Sequence, residues 1–121
     1  MTQFLIGIGS NENARENCEQ MIAALKERFG EIKVSQIVQT KAHGIDAPDY
    51  LNAVACIETD LDANALNQWC KMQEQRLGRD RNQQLCAADL DILLAVNDGE
   101  YVDPNQAKET YLRPLIAELM Q

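Results

Sequence analysis

Two arginines and two aspartates stand close together in the stretch LGRDRNQQLCAADLDILLAV, residues 77–96. The guanidinium groups of Arg79 and Arg81 can fork onto phosphate oxygens. If the second pair opens a strand, Asp89 and Asp91 point to the same face, because strand side chains alternate. Two neighbouring carboxylates repel each other, and Mg²⁺ relieves that repulsion while leaving positions for water and substrate phosphates. Together the pairs supply the main needs of phosphoryl transfer.

Each pair alone also has a plainer interpretation. Asp89 and Asp91 could be solvated acids at the start of a strand, and Asp80 could neutralise one arginine of a solvated basic loop. The chain contains no G-x-x-x-x-G-K-[ST] nucleotide-binding motif, and the segment GIGSNE lacks the third glycine of a dinucleotide fingerprint. We interpret its glycines as the turn after a strand. On the acidic strand, the side chains predicted to face the core are Leu90, Ile92 and Leu94.

Hydrophobic periodicity predicts the elements that position these residues. The apolar run 3–8 stops at polar turn residues and predicts a first strand. A helix follows, in which Asn13 with Glu16 forms a variant of the capping box, and it ends before Gly30. Its apolar stripe consists of Ala14, Cys18, Met21, Ile22, Leu25 and Phe29.

The rest of the chain predicts two more strands, a second helix and a fourth strand. Segments 32–38 and 51–59 are apolar and β-branched, as strands are. Asp62 can cap the second helix and Gly78 suits its end. The segment ADLDILLAV, residues 88–96, is the predicted fourth strand, and the acidic pair lies at its start.

A terminal helix is predicted from Glu109 to Met120, with Pro114 in its first turn or at a kink. The order strand-helix-strand-strand-helix-strand predicts a ferredoxin-like α+β fold, βαββαβ. Its mostly antiparallel four-stranded sheet carries two helices on one face, followed by the short C-terminal helix. At 121 residues the chain is predicted to be a single domain, 1–121.

Composition limits the classes of partner. A formal net charge of -8 disfavours non-specific binding to nucleic acid or to an anionic membrane. The first apolar segment is short and has no basic leader, so we expect a cytoplasmic protein. The four cysteines form no C-x-x-C pair, which indicates reduced, mostly buried thiols.

Four segments resemble, in order, one family, the 6-hydroxymethyl-7,8-dihydropterin pyrophosphokinases of folate biosynthesis. They are IGIGSN, PDYLNAVACIET, EQRLGRDR and DLDILL, within residues 3–96. The resemblance implies the same ferredoxin-like fold and an ATP-dependent transferase, a kinase that moves the pyrophosphoryl group of ATP onto the pterin hydroxymethyl. Two Mg²⁺ ions are expected, and ATP and the pterin are the small-molecule partners. A homo-oligomer is left open.

The resemblance also implies roles for single residues. Asp89 and Asp91 match the metal-binding aspartates, and Arg79 and Arg81 match the catalytic arginines near the triphosphate. The matches on the pterin side are Thr40, Gly44, Tyr50 and Asn52, and those on the nucleotide side are Lys71, Glu74 and Ile92. A side-chain amide such as that of Asn52 both donates and accepts hydrogen bonds, as the edge of a pterin requires.

The chain departs from the family in three places. The proline-rich loop of the family after Thr40 is replaced by Lys41, Ala42 and His43, although Gly44 remains. The loop before DLDILL is three residues shorter, and Cys86 stands where the family has an arginine. Towards the C-terminus a further arginine and a stacking phenylalanine are missing, and Lys108 and Thr110 fall near their positions. Three hypotheses follow: a shortened pyrophosphokinase, a diverged relative that binds a nucleotide or pterin with little turnover, and an interaction domain without a small-molecule site.

Overall fold

The computed structural model describes residues 1–41, 48–97 and 100–120. Its elements are β1 (Thr2–Ser10), α1 (Ala14–Phe29), β2 (Lys33–Val34), β3 (Val38–Thr40), β4 (Tyr50–Thr59), α2 (Ala63–Arg76), β5 (Asp89–Val96) and α3 (Arg113–Leu119). Two short 3-10 helices, Pro104–Gln106 and Thr110–Leu112, precede α3.

The sheet has the order β2-β4-β1-β5, with β3 also pairing with β4, and every pairing is antiparallel. This confirms the predicted α+β fold. The predicted second strand, however, forms two segments, so the sheet has five strands. Between the segments, Ser35 uses its hydroxyl oxygen to accept a hydrogen bond from the Val54 amide at 2.9 Å, where a regular ladder would use a backbone carbonyl.

Helices α1 and α2 cover one face of the sheet and bury the main core against it. The buried stripe of α1 consists of Cys18, Met21 and Leu25. The Asp62 carboxylate accepts a hydrogen bond from the Ala65 amide at 2.8 Å, which confirms the predicted cap of α2. Gly78 has a φ of 90°, the left-handed conformation that ends helices and favours glycine.

The capping box predicted for α1 is wrong. Asn13 adopts a left-handed conformation, φ 46° and ψ 47°, and its side chain makes no capping hydrogen bond. The chain enters the helix through a different contact, in which the Asn17 side chain donates to the Glu12 carbonyl at 2.7 Å.

The C-terminal segment covers part of the opposite face. Helix α3 places Leu115 and Ile116 over Leu5 and Val54, and Pro114 lies in its first turn, as one of the two predictions had it. The β1–β5 register shifts between Leu5 and Ile6, which is a bulge in β5.

The bulge changes which face the later residues of β5 occupy. Leu90 and Ile92 pack in the core under α1 and α2, as predicted, but Leu94 packs on the opposite face together with Leu93. The prediction for Leu94 is therefore wrong, because one extra residue reverses the alternation.

Candidate active site

Gly9 of β1 forms the floor of the candidate site on the face of the sheet opposite α1 and α2. Gly9 pairs with Asn52 in β4 on one side and with Asp89 in β5 on the other. A Cβ atom at Gly9 would lie 2.9 Å from the Asn52 Oδ1, which is too close for two unbonded atoms. The interpretation of Gly7 and Gly9 as a turn is wrong, since both lie inside β1. Gly9 instead gives the Asn52 amide room above the sheet.

On the β4 side of this floor lies a polar wall. Asn52 is buried, and its Nδ2 donates a hydrogen bond to the Thr40 hydroxyl at the end of β3. Tyr50 is half-buried next to them, and burial raises the pKa of its phenol, which keeps the hydroxyl protonated. The structure thus brings Thr40, Tyr50 and Asn52 together. Gly44 lies outside the described residues, so its predicted role is unchanged.

On the β5 side lies a group of three acids. Carboxylate oxygens of Glu74, Asp89 and Asp91 lie within 4.8 Å of one another, an arrangement that could hold a metal ion. Burial, followed by the neighbouring Asp89 carboxylate, raises the pKa of Asp91 to about 7. An all-oxygen group whose members repel each other suits a hard divalent cation such as Mg²⁺.

The arginines differ in how tightly they are held. Arg79 Nη1 donates to the Glu74 Oε2 at 2.9 Å, to the Asp89 Oδ1 at 3.1 Å and to the Ala88 carbonyl at 3.2 Å. Arg81 remains 63% exposed and lies 3.6 Å from Glu74. Arg79 therefore neutralises part of the acidic group in this structure, whereas Arg81 can reach a ligand.

Glu74 acts as an internal anchor. It is buried on α2 and accepts a hydrogen bond from the Leu90 amide at 2.9 Å in addition to that from Arg79. This carboxylate consequently fixes the start of β5 relative to the end of α2. Lys71, predicted on the nucleotide side, lines a cavity of about 150 Å³ together with Glu74, Arg79 and Arg81.

A larger cleft of about 590 Å³ continues past Asp91 along β5. Its lining includes Ile92, predicted on the nucleotide side, as well as Lys108 and Tyr111 from the C-terminal segment and Asn64 from α2. Sequence reasoning missed Tyr111, whose side chain is 46% exposed. The one feature of the sequence that could have indicated Tyr111 is that it is an aromatic residue next to Thr110, near which the resemblance expects a phenylalanine.

A search of curated proteins found no significant match. In the part of the chain that the structure describes, no helix has the length and apolar character needed to cross a membrane. Residues 5–117 match the family described as 7,8-dihydro-6-hydroxymethylpterin-pyrophosphokinase (HPPK). The chain belongs to this family, which consists of pyrophosphokinases of folate biosynthesis.

Proposed function

We propose that this protein transfers the pyrophosphoryl group of ATP to the hydroxymethyl group of 6-hydroxymethyl-7,8-dihydropterin in a Mg²⁺-dependent reaction in the cytoplasm. The observation that carries the proposal is the placement of Asn52 and Asp89 on either side of Gly9. Two strand spacings, roughly 10 Å, separate them. One bound molecule can therefore contact the amide with its ring and bring its hydroxyl towards the acids.

The β4 side of the pocket is the proposed pterin site. The Asn52 amide offers a donor and an acceptor to the ring edge, and Thr40 holds that amide in place. Tyr50 forms a wall against the ring, and Gly44 is proposed to complete the pocket by resemblance. A pterin suits this site because it is flat and has donors and acceptors along one edge.

The acidic side is the proposed metal site. Asp91 and the Asp89 oxygen that Arg79 does not bind could hold Mg²⁺, with two ions expected for the family. Magnesium would neutralise charge on the phosphates and orient them. Burial, followed by the neighbouring Asp89 carboxylate, raises the pKa of Asp91, and a cation bound here would favour the ionised carboxylate.

The triphosphate is proposed to extend along β5 between the cleft and the arginines. The base would occupy the cleft beside Ile92 and Tyr111, where an aliphatic and an aromatic side chain offer apolar contacts. Arg79, Arg81 and Lys71 would face the phosphates, and Glu74 would hold the arginines in position.

The reaction needs placement and charge compensation and no nucleophilic side chain. The hydroxymethyl oxygen attacks the β-phosphorus of ATP, and a new oxygen–phosphorus bond forms. The bond between the β-phosphorus and the oxygen that bridges to the α-phosphate breaks, so AMP leaves with that oxygen and the hydroxyl proton passes to solvent. Arg79 and Arg81 would stabilise the charge that develops on the transferred group.

A second candidate function is that of a diverged relative that binds the same ligands with little turnover. It is favoured by Cys86, which stands in place of a family arginine, and by the internal ion pairs of Arg79 with Glu74 and Asp89. Each lost charged hydrogen bond weakens binding by about 1.5 to 3 kcal/mol, so a few losses could greatly slow transfer.

One assay separates the two functions. The purified protein is incubated with ATP, Mg²⁺ and 6-hydroxymethyl-7,8-dihydropterin, and AMP and the pterin diphosphate are quantified together. Formation of both in equal amounts supports the enzyme, and the Asp91→Ala variant serves as the inactive control. Saturable binding of both ligands by calorimetry without AMP supports the diverged relative. Absence of binding and of AMP contradicts both.

A further inference from the structure

Asn11 is a buried polar residue directly after β1, two positions beyond Gly9 of the proposed pocket. Its side chain is 3% exposed and makes two hydrogen bonds to segments that are distant in sequence. The Oδ1 accepts from the Cys86 amide at 2.6 Å, and the Nδ2 donates to the Pro48 carbonyl at 3.3 Å. One amide therefore joins three parts of the chain.

The two segments lead into the two sides of the pocket. Cys86 lies in the loop that begins at Arg79 and enters β5 at Asp89, and Pro48 lies just before β4, which begins at Tyr50. Because β1 lies between β4 and β5 in the sheet, a residue at its end is placed to hold both neighbours. The Asn11 backbone amide also donates to the Cys86 carbonyl at 2.9 Å, and the Ser10 hydroxyl donates to the same carbonyl at 3.2 Å.

Asparagine is the side chain that meets both requirements. The Cys86 amide can only donate and the Pro48 carbonyl can only accept, so the residue between them needs an acceptor and a donor a short distance apart. An aspartate of the same shape keeps the acceptor and loses the donor. An alanine loses both and leaves the Cys86 amide and the Pro48 carbonyl without this partner.

We propose that Asn11 is a positioning residue that sets the spacing between the polar wall of Tyr50 and Asn52 and the acidic side of the pocket. It touches neither proposed substrate. Its effect on turnover rests on the proposed function, whereas its effect on the two segments does not. Losing the hydrogen bond to the Pro48 carbonyl frees the segment that leads into β4. Losing the hydrogen bond from the Cys86 amide also frees the loop that carries the arginines to β5.

The test compares Asn11→Ala and Asn11→Asp with a matched control, Asn17→Ala. Asn17 lies in the first turn of α1 and donates to the Glu12 carbonyl at 2.7 Å, but reaches neither segment. NMR on the ligand-free proteins measures amide exchange at Cys86 and backbone order parameters at Asp49 and Tyr50. Steady-state kinetics then measures KM for the pterin and kcat.

In Asn11→Ala we expect exchange at Cys86 to become about tenfold faster, as for the loss of one hydrogen bond. The order parameters at Asp49 and Tyr50 should fall from about 0.85 towards 0.6. In Asn11→Asp only the order parameters should fall. KM for the pterin should rise about tenfold in both variants. In Asn11→Ala alone kcat should also fall, because misplacing reacting groups slows the chemical step.

Several results would overturn the proposal. One is that amide exchange at Cys86 and the order parameters at Asp49 and Tyr50 are the same in Asn11→Ala as in Asn17→Ala. Another is equal acceleration at Cys86 in Asn11→Ala and Asn11→Asp, since the aspartate keeps the acceptor. If Asn11→Ala fails to fold, the comparison of Asn11→Asp with the wild type still decides. If the wild type forms no AMP, the proposed function fails, and the NMR measurements alone test the role of Asn11.

Discussion

The face of the sheet opposite α1 and α2 is divided into two halves that use the same three strands differently. In the covered half, Leu5, Val54 and Cys56 are buried beneath α3. In the open half, the same strands β1 and β4 present Gly9 and Asn52, and β5 presents Asp89 and Asp91. The covered half gives apolar burial, which stabilises the fold. The open half can therefore carry a glycine floor and repelling acids, which do not stabilise the fold.

The boundary between the halves coincides with the bulge in β5. Before the bulge, Asp89 and Asp91 face the open half; after it, Leu93 and Leu94 both pack in the covered half. Bulges are common next to active sites because they redirect side chains. Here a single extra residue lets one short strand serve a polar pocket and an apolar cluster on the same face.

The largest effect is expected from removing Asp91, the acid of the open half that makes no ion pair within residues 1–41, 48–97 and 100–120. Asp91→Ala should abolish Mg²⁺-dependent nucleotide binding in calorimetry and lower AMP formation about a thousandfold or more, because the proposed metal loses a ligand. Its melting temperature should not fall, because a repelling carboxylate has been removed.

The control for this change is Asp60→Ala, which removes an exposed acid at the other end of β4. It should leave both quantities unchanged. Unaltered Mg²⁺-dependent affinity in Asp91→Ala would remove the metal assignment.

The second prediction concerns the covered half, where a substitution should lower stability and leave ligand binding intact. Ile116→Ala should lower the free energy of unfolding by about 2 to 5 kcal/mol, because Ile116 is fully buried against the sheet. Urea denaturation measures this loss. Ligand affinity at a temperature where the variant is folded should be retained. Tyr101→Ala, at a side chain that is 87% exposed, should change stability by less than about 0.5 kcal/mol. A cost below about 1 kcal/mol for Ile116→Ala would contradict its place in the core.

Two glycines of β1 provide a matched pair across the boundary. At Gly9 a methyl group would meet the Asn52 Oδ1 at 2.9 Å, so Gly9→Ala should displace that amide and weaken pterin binding about tenfold. At Gly7 it would meet the flexible ends of Leu93 and Leu112 at 3.1 and 3.3 Å. Gly7→Ala should therefore cost about 1 kcal/mol of stability and leave pterin affinity unchanged. Calorimetry and urea denaturation test both, and equal affinities would contradict the proposed floor.

Local patterns predicted most of the fold. Alternation and helical periodicity predicted the order of the elements, and the chemistry of Asp62 and Gly78 predicted both ends of α2. The same patterns failed at Asn13, where the backbone adopts a left-handed conformation, and at Leu94, where the bulge intervenes. A bulge adds one residue without a distinctive composition, so periodicity cannot reveal it.

The site was predictable where neighbours in sequence are neighbours in space. The spacing of Asp89 and Asp91 within one strand predicted a shared face, and the structure brings their carboxylates together. The floor at Gly9 and the bonds of Asn11 depend instead on partners in other strands or loops; Cys86 is 75 positions from Asn11. Such contacts depend on the register of the sheet, which the pattern of a single strand does not contain.

The smallest predicted effect is a pH dependence that originates in the open half. The pKa of Asp91 is raised from 3.8 to about 7 in the folded protein, so between these values the folded state binds a proton that the unfolded state has released. Stability from this group is therefore fully present below about pH 4 and is lost as the pH rises through about 7. Without Mg²⁺, the melting temperature of the wild type should fall between pH 5 and pH 8 relative to that of Asp91→Asn. Added Mg²⁺ should reduce this difference, because a bound cation favours the ionised carboxylate. Parallel pH profiles of the two proteins would show that neither burial nor the neighbouring Asp89 carboxylate raises the pKa of Asp91.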